Sequence, residues 1–177
     1  MFERTFSFLA LFLILEAGPS LLSSSSLALP SEFKIESVSL APSRPPEKSR
    51  AFQKALRYEP GSRASEQARI DYLLECIANS PYNFFRNGSR YTGKRAEAHL
   101  NLKWKYFRYL KKVKTAEDFI NKVASYSKMS GEEYLVELPE KKQVPLHPIL
   151  VRELEIFDQA LASRRGAANG TAQDRHL

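Results

Sequence analysis

Apolar side chains recur at intervals of three and four residues in four parts of the chain, which is the spacing of an amphipathic helix. The first helix is predicted to begin at Ser65, whose hydroxyl can accept a hydrogen bond from a free backbone N–H group of the first turn. The second follows the capping residue Thr92, the third begins at Thr115 and the fourth at His147. Their inward-facing positions are predicted to be Ile70, Leu73, Leu74 and Ile77; Ala96, His99, Leu100, Lys103, Trp104 and Phe107; Phe119, Ile120 and Val123; and Leu150, Leu154, Phe157 and Leu161.

Two other parts of the chain have β-forming residues next to turn signals. Residues 84–91 place Asn87 and Gly88 between two short β-forming runs, and this pair favours a tight hairpin because both turn positions need positive φ. Residues 134–138 and 142–145 are predicted to be short strands. The predicted fold class is therefore α+β, with about four helices packed on a small antiparallel sheet built from one or two hairpins.

The two ends of the chain lack sustained patterns, and a short helix at 48–58, where Ala51, Phe52, Ala55 and Leu56 have helical spacing, is the one alternative there. Arg4 precedes an apolar run at residues 6–15, which is short for a bilayer span and typical of the core of a secretory signal. Ser26 and Ala28 have the spacing of a signal peptidase site, so we expect cleavage after Ala28; an uncleaved membrane anchor is the alternative. The predicted organisation is a signal peptide at 1–28, a proline-rich disordered arm or linker at 29–63, the α+β domain at 64–163 and a flexible tail at 164–177.

The positive charge is concentrated on the second predicted helix. The chain has a formal net charge of +7, and residues 94–114 hold eight basic residues against Glu97 alone. Residues 101–114 interleave these cations with aromatic side chains, which suits an anionic polymer or an anionic lipid surface. The alternative is a helix whose aromatic residues lie in the core and whose lysines form a solvated face. Nucleic acid is not expected as the partner of an exported protein.

No strong catalytic signature is present. The sequence has no glycine-rich phosphate loop, no pair of histidines at metal-binding spacing and no nucleophile elbow, so we predict neither a metal nor a cofactor. His99 is the candidate for acid–base chemistry, with Glu97, Arg86 and Tyr91 as expected neighbours; a hydrogen-bonded core histidine is the alternative. Cys76 is the only cysteine, which excludes an internal disulfide and predicts a small core residue.

The segments FFRNGSRYT, AHLNLKW, KTAEDFI and ASYSKMSGEEYLVELP, in that order, resemble the YfeK-like family of small uncharacterised bacterial envelope proteins that carry a signal peptide. The resemblance covers about residues 67–157. It implies no assigned reaction. Where relatives often have Glu ahead of the His-Leu pair, this chain has Arg95, and where some have Cys before the Phe-x-Arg-Asn-Gly run, it has Tyr82. The first departure removes a carboxylate partner of His99, which argues against an enzyme.

We therefore predict an exported, periplasmic, non-catalytic domain that binds an envelope component or a protein partner. The hairpin, the start of the second helix and residues 127–134 would form the recognising edge. The candidate binding residues are Arg86, Asn87, Tyr91, His99, Lys103 and Trp104. Two alternatives stand beside this prediction: a periplasmic hydrolase-like enzyme that uses His99 as a base, and a polyanion or membrane-surface binder that uses residues 101–114.

Overall fold

Serine and threonine hydroxyls determine where several of the helices begin. A computed structural model of the chain describes residues 38–173, with side chains described through residue 168, so the predicted signal peptide lies outside the described residues. The Oγ atoms of Ser49, Ser62 and Thr115 each accept a backbone N–H of the following turn. The helices are α1 (Arg50–Ala55), α2 (Arg63–Ala78), α3 (Gly93–Tyr109), α4 (Ala116–Phe119) and α5 (Leu146–Gln173).

The start of α2 differs from the prediction. Ser62 is the N-cap, and Ser65, the predicted cap, is buried in the first turn and donates its backbone N–H to the Ser62 hydroxyl. Gly61 immediately before the cap has a φ of 75°, a left-handed conformation that turns the chain into the helix. Ser62 caps the helix because the turn at Gly61 ends immediately before it.

The third predicted helix is divided. After α4 the chain forms a π turn, Ile120–Ala124, in which the backbone hydrogen bonds span five residues. Ser125 Oγ donates to the carbonyl oxygen of Ile120 at 2.6 Å, and Lys103 Nζ donates to that of Val123 at 2.7 Å. Side chains therefore satisfy carbonyl groups that a regular helix would have paired with backbone N–H groups.

The four described strands form one antiparallel sheet in the order β2-β1-β3-β4, which confirms the predicted α+β class. The strands are β1 (Asn83–Arg86), β2 (Ser89–Thr92), β3 (Leu135–Glu137) and β4 (Gln143–Pro145). The predicted Asn-Gly hairpin joins β1 to β2, with φ of 49° at Asn87 and 70° at Gly88. Phe84 lies opposite both Tyr91 and Val136, so these residues share the face of the sheet that points to the helices.

The helix α2 lies at the centre of the helical layer and packs against the other four helices. Its Arg69 forms ion pairs with Glu117 on α4 at 2.5 Å and with Asp158 on α5 at 2.7 Å. Where α2 ends, the buried residue Gly93 starts α3 so close to the backbone that a Cβ atom would overlap the Ile77 carbonyl oxygen. Glycine therefore sets the distance between these two helices.

The core extends beyond the domain bounds of 64–163 that the sequence analysis predicts. Residues 38–63 differ from the expected disordered arm: Leu40 and Phe52 are fully buried, and Phe52 packs edge-on against Phe157 of α5 at 5.6 Å between ring centroids. The prolines of this segment lie in turns or at the start of a short 3₁₀ helix, Pro46–Lys48, so their number does not indicate disorder. At the other end, α5 continues through Gln173 in place of a tail from 164, and Arg165 donates to the Ala55 and Tyr58 carbonyl oxygens at the end of α1.

Candidate functional site

Four polar side chains meet where the first half of α3 covers the inner face of the sheet. Arg86 ends β1 two residues after Phe84, and Tyr134 precedes β3 two residues before Val136, so both share the inner face. His99 and Lys103 are one helical turn apart on α3 and face the sheet. We refer to Arg86, His99, Lys103 and Tyr134 as the donor cluster, for the reason that follows.

The hydrogen bonds of the donor cluster form a chain. Arg86 Nη1 lies 3.3 Å from His99 Nδ1, and His99 Nε2 lies 3.4 Å from Tyr134 Oη. Lys103 Nζ lies 3.3 Å from the same Tyr134 oxygen. Arginine and charged lysine can only donate, so the two ends of this chain determine the direction of each bond between them.

Proton positions follow from that direction. Because Arg86 donates to Nδ1, His99 is neutral with its proton on Nε2, and that N–H donates to Tyr134 Oη. The Tyr134 oxygen accepts from both His99 and Lys103, which leaves its own O–H without an acceptor among residues 38–168. The remaining N–H groups of Arg86 likewise have no side-chain or carbonyl acceptor in that part of the chain. The cluster therefore offers hydrogen-bond donors and lacks an acceptor.

The charges around the cluster agree with this assignment. Burial lowers the pKa of His99, and the positive charges of Arg86 and Lys103 lower it further. Burial, together with Arg86 and Lys128, lowers the pKa of Lys103 to about 8. Burial raises the pKa of Tyr134, with Arg86 acting in the opposite direction. At neutral pH, His99 is uncharged and Tyr134 keeps its proton, and every neighbouring charge that acts on these three groups is positive.

Lys103 also holds the end of the π turn. Its Nζ donates to the carbonyl oxygens of Val123 at 2.7 Å and Tyr126 at 2.6 Å, and it lies over the rings of Tyr126 and Tyr134 at 5.6 and 5.0 Å. These contacts fix the ammonium group at the cluster, so its charge is positioned before any ligand arrives.

A small pocket opens beside the donor cluster. Its volume is about 40 Å³, and its walls are mainly apolar side chains: Phe84, Tyr91, Ala96, Leu100 and Leu146. Arg86, His99 and Tyr134 line it on one side. Arg95 lies at the rim with its guanidinium 5.6 Å from the centre of the Tyr91 ring. A space of this size takes a group of a few atoms.

Known proteins share part of this chain. The sequence profile of a family of unknown function, DUF5329, matches residues 64–158. The chain belongs to the DUF5329 family. It is also similar to the uncharacterised protein YfeK of Salmonella typhimurium, with 40% identity over 72 residues that make up 40% of this chain and 58% of YfeK. The chain thus aligns with less than two thirds of the length of YfeK. The two matches confirm the predicted resemblance to the YfeK-like family. No solved structure matches the chain.

The DUF5329 region contains the whole donor cluster. Of the six residues that the sequence predicts for binding, Arg86, His99 and Lys103 belong to the cluster and Tyr91 lines its pocket. Asn87 lies in the exposed hairpin turn, where its Oδ1 accepts from Ser130 Oγ at 2.8 Å. Trp104 is buried beneath the Arg108 guanidinium, 4.7 Å from its ring centre, and does not line the pocket beside the cluster.

The position of Glu97 and the role of Tyr134 differ from what the sequence predicts. Glu97, expected beside His99, instead accepts from Asn101 on the same helix. Tyr134 ends the stretch 127–134 that was predicted as part of the recognising edge, but it was not named as a binding residue, although strand alternation from Val136 would have placed it on the inner face. Cys76 lies in the core as predicted.

The described residues contain neither a metal-binding cluster nor a membrane-spanning helix. Among residues 38–173, no group of three or more His, Cys, Asp or Glu side chains is placed to hold a metal ion. In the same residues, no helix combines the length and the hydropathy needed to cross a membrane.

Proposed function

We propose that this protein is a non-catalytic binding module that captures an anionic group, a carboxylate or a phosphate, at the donor cluster. The observation that carries the proposal is that Arg86 and Tyr134 converge as donors without an acceptor, beside the positive charge of Lys103. An oxyanion would accept the free Tyr134 O–H and the free Arg86 N–H groups, and it would be attracted by both cations. Arginine is the side chain best suited to hold a carboxylate or phosphate through two hydrogen bonds.

The pocket beside the donor cluster indicates which chemical group of the ligand lies next to the anion. Apart from Arg95 at the rim, its walls offer no partner for a second charge, so the group next to the anion would be small and apolar. Such a ligand could be the end of a larger molecule, with the rest lying on the surface near Arg95. The proposed ligand class is therefore an anionic group attached to a small apolar unit.

The arrangement favours binding over catalysis by His99. The acceptor nitrogen Nδ1 faces Arg86, and Nε2 carries a proton that is directed at Tyr134. A general base needs an acceptor nitrogen that reaches the substrate proton, and a carboxylate commonly holds its other nitrogen in place. Neither condition is met at His99 in this arrangement.

We also propose that the module works in the bacterial envelope after export to the periplasm. The support comes from the sequence, in which Arg4, the apolar run at 6–15 and the Ser26/Ala28 pair have the order of a secretory signal. Mass spectrometry of the protein recovered from a periplasmic fraction should show a chain that begins after Ala28. A full-length chain in the cytoplasmic fraction would contradict this part of the proposal.

The binding proposal is tested by thermal unfolding with added sodium phosphate, sodium acetate or sodium butyrate, with sodium chloride at the same ionic strength as the reference. A ligand that binds only the folded state raises the melting temperature. We expect at least one of the three anions to raise it for the parent, and Arg86→Met to abolish most of that increase. Arg90→Met is the matched control, because Arg90 lies on the same hairpin and pairs with Glu137 at 2.7 Å.

Each variant is compared with itself in chloride, so a change in its own stability does not affect the result. Equal increases for the parent and Arg86→Met would contradict the proposed site. No increase with any of the three anions would contradict the proposed ligand class.

A further inference from the structure

Large exposed apolar side chains are concentrated in two stretches of the chain. Of the seven exposed large hydrophobic residues in the described part of the chain, three lie on the second half of α3, one is its C-cap Leu110, and two lie in the loop that follows the π turn. Leu102, Tyr106 and Tyr109 are 68%, 60% and 83% exposed, and Met129 in the loop is 91% exposed. Single exposed apolar residues are ordinary, but a cluster of them marks an interaction surface.

Helix geometry places three of these residues in a line. Leu102, Tyr106 and Tyr109 are separated by four and three positions, so they lie on one face of α3. The buried residues of the same half of the helix, Trp104 and Phe107, point the other way. We call Leu102, Tyr106 and Tyr109 the exposed α3 stripe.

Positive charges border the stripe. Lys105 and Arg108 lie three positions apart on one side of it, Lys112 follows three residues after the end of α3, and all three are exposed. On the loop side, the Lys128 ammonium lies 4.8 Å from the centre of the Phe107 ring. The sequence from 98 to 116 contains no aspartate or glutamate, so no acidic neighbour in this stretch neutralises these cations.

We infer that the exposed α3 stripe and its cations dock on the surface of a lipid bilayer that contains acidic headgroups. Tyrosine is favoured at the interface between water and hydrocarbon, and leucine gains from leaving water. Lysine and arginine beside such a stripe are attracted to acidic lipids. A soluble polyanion would engage the same cations but would gain little from Leu102 or Met129, which offer neither charge nor hydrogen bonds. This surface is separate from the donor cluster, which points inward from α3.

The experiment measures binding to vesicles by co-sedimentation. The segment from Lys34 to Leu177 is used because it is one compact unit that holds the described core, and because it lacks the apolar run at 6–15 that would bind lipid itself. Vesicles contain phosphatidylcholine with 30% phosphatidylglycerol, or phosphatidylcholine alone, and inorganic polyphosphate serves as the soluble anion. A cooperative thermal transition shows that each variant is folded.

Three outcomes are expected. Binding should require phosphatidylglycerol and weaken as salt is raised. Replacing the stripe with serine (Leu102→Ser, Tyr106→Ser and Tyr109→Ser together) should lower the partition coefficient at least about tenfold. Lys105→Gln with Lys112→Gln should lower it about tenfold as well. The matched controls are Tyr58→Ser, an exposed aromatic residue elsewhere, and Lys94→Gln at the exposed start of α3; each should stay within about twofold.

Equal binding by the parent and the triple serine variant would overturn the inference. So would a polyphosphate affinity that matches the vesicle affinity and responds only to the lysine substitutions, because that result identifies a soluble polyanion as the partner. Binding that is equally strong on pure phosphatidylcholine would contradict the role of acidic headgroups.

Discussion

Glu153 shows how one buried side chain joins two distant parts of the sequence. It is 2% exposed, and its Oε1 accepts from Ser39 Oγ at 2.8 Å and from the Leu40 backbone N–H at 2.6 Å. Its Oε2 lies 3.3 Å from the Tyr72 hydroxyl, which donates to it. The carboxylate is therefore satisfied by neutral donors, as a buried charge requires. These bonds attach the start of the described chain to α5.

Replacing Glu153 with alanine should lower the free energy of unfolding by about 2–4 kcal/mol, because two buried donors and the half-buried Ser39 hydroxyl lose their acceptor. Urea unfolding measures this change, and hydrogen exchange at the Leu40 amide should accelerate more than exchange at the centre of α2. Glu155→Ala, two residues further along the same helix and exposed, should change stability by less than about 0.5 kcal/mol. Similar losses of stability in Glu153→Ala and Glu155→Ala would show that Glu153 does not stabilise the fold as a buried acceptor.

The donor cluster should take up protons when an anion binds. An anion stabilises the charged form of Lys103 and so raises its pKa from about 8. At pH 8, where about half of the Lys103 side chains are neutral, binding should therefore add up to about half a proton per molecule. The affinity should fall as pH rises through about 8, because Lys103 then loses its charge. Calorimetric titrations in buffers of different ionisation enthalpy measure the proton uptake.

His99 should add to this effect at lower pH. Its pKa is lowered in the free protein, and its protonation would place an N–H opposite the Arg86 donor unless an anion lies between them. Anion affinity should therefore rise as pH falls through the His99 pKa, and His99→Gln should remove that rise while leaving the change near pH 8. An affinity that is constant from pH 5 to 9 would contradict the assignment of the cluster.

At the scale of residues, the sequence indicates side chains whose neighbours lie on the same element. His99 and Lys103 could be placed together because four positions on a helix bring them to one face. Glu153 was missed because α5 was interpreted only from its apolar positions, although residue 153 is three positions from Leu150 and shares its face. Its partners, Ser39 and Leu40, lie more than a hundred residues away, and no local pattern connects them.

The sequence predicts a helix or strand correctly where interactions within that element determine it. The prediction fails where a different element supplies the hydrogen bonds. The hairpin and α3 could be predicted because Asn-Gly geometry and helical spacing act within a few residues. The π turn could not, because Lys103 of α3 and Ser125 satisfy its carbonyl groups only in the folded protein. The close contact of α2 and α3 at Gly93 depends in the same way on the folded arrangement.

Two helical glycines, Gly93 and Gly166, allow a direct test of that contact. Gly93→Ala should lower the free energy of unfolding by about 1–3 kcal/mol, because the new Cβ would overlap the Ile77 carbonyl oxygen and the helices would have to separate. Gly166→Ala on α5 meets open space, so it should raise stability by up to about 1 kcal/mol through the better helix propensity of alanine. Thermal unfolding measures both. If both substitutions changed the free energy of unfolding in the same direction, that result would contradict the proposed close contact.

The hydrophobic core of the whole molecule extends beyond residues 64–158, the part that the family profile matches. Residues 64–158 contain the donor cluster and the sheet, but Leu40, Phe52 and Ala55 before them and Leu161 after them are buried in the same core. The sequence analysis placed the domain boundary near residue 64 because the preceding residues show no sustained periodicity. Packing against α5 brings this segment into the core, and a local pattern does not reveal such packing.

A chain limited to residues 64–158 should therefore fail to fold cooperatively. It lacks several fully buried side chains, each of which typically contributes about 2–5 kcal/mol, and a domain has only about 5–15 kcal/mol of net stability. Circular dichroism during heating should show no sharp transition for this chain, whereas residues 34–173 should melt cooperatively. A cooperative transition of similar midpoint in the shorter chain would show that α1 and the residues before it are not required.

The backbone of Leu40 is held by Glu153, so the chain enters the folded unit at a fixed point. In the alternative in which the leader is not cleaved and the apolar run at 6–15 stays in a membrane, the 22 residues at 16–37 tether the folded unit and reach at most about 80 Å. A tether of that length keeps the folded unit at a high effective concentration near the lipid surface. Even a weak interaction of the exposed α3 stripe would then hold the molecule against the bilayer in one orientation.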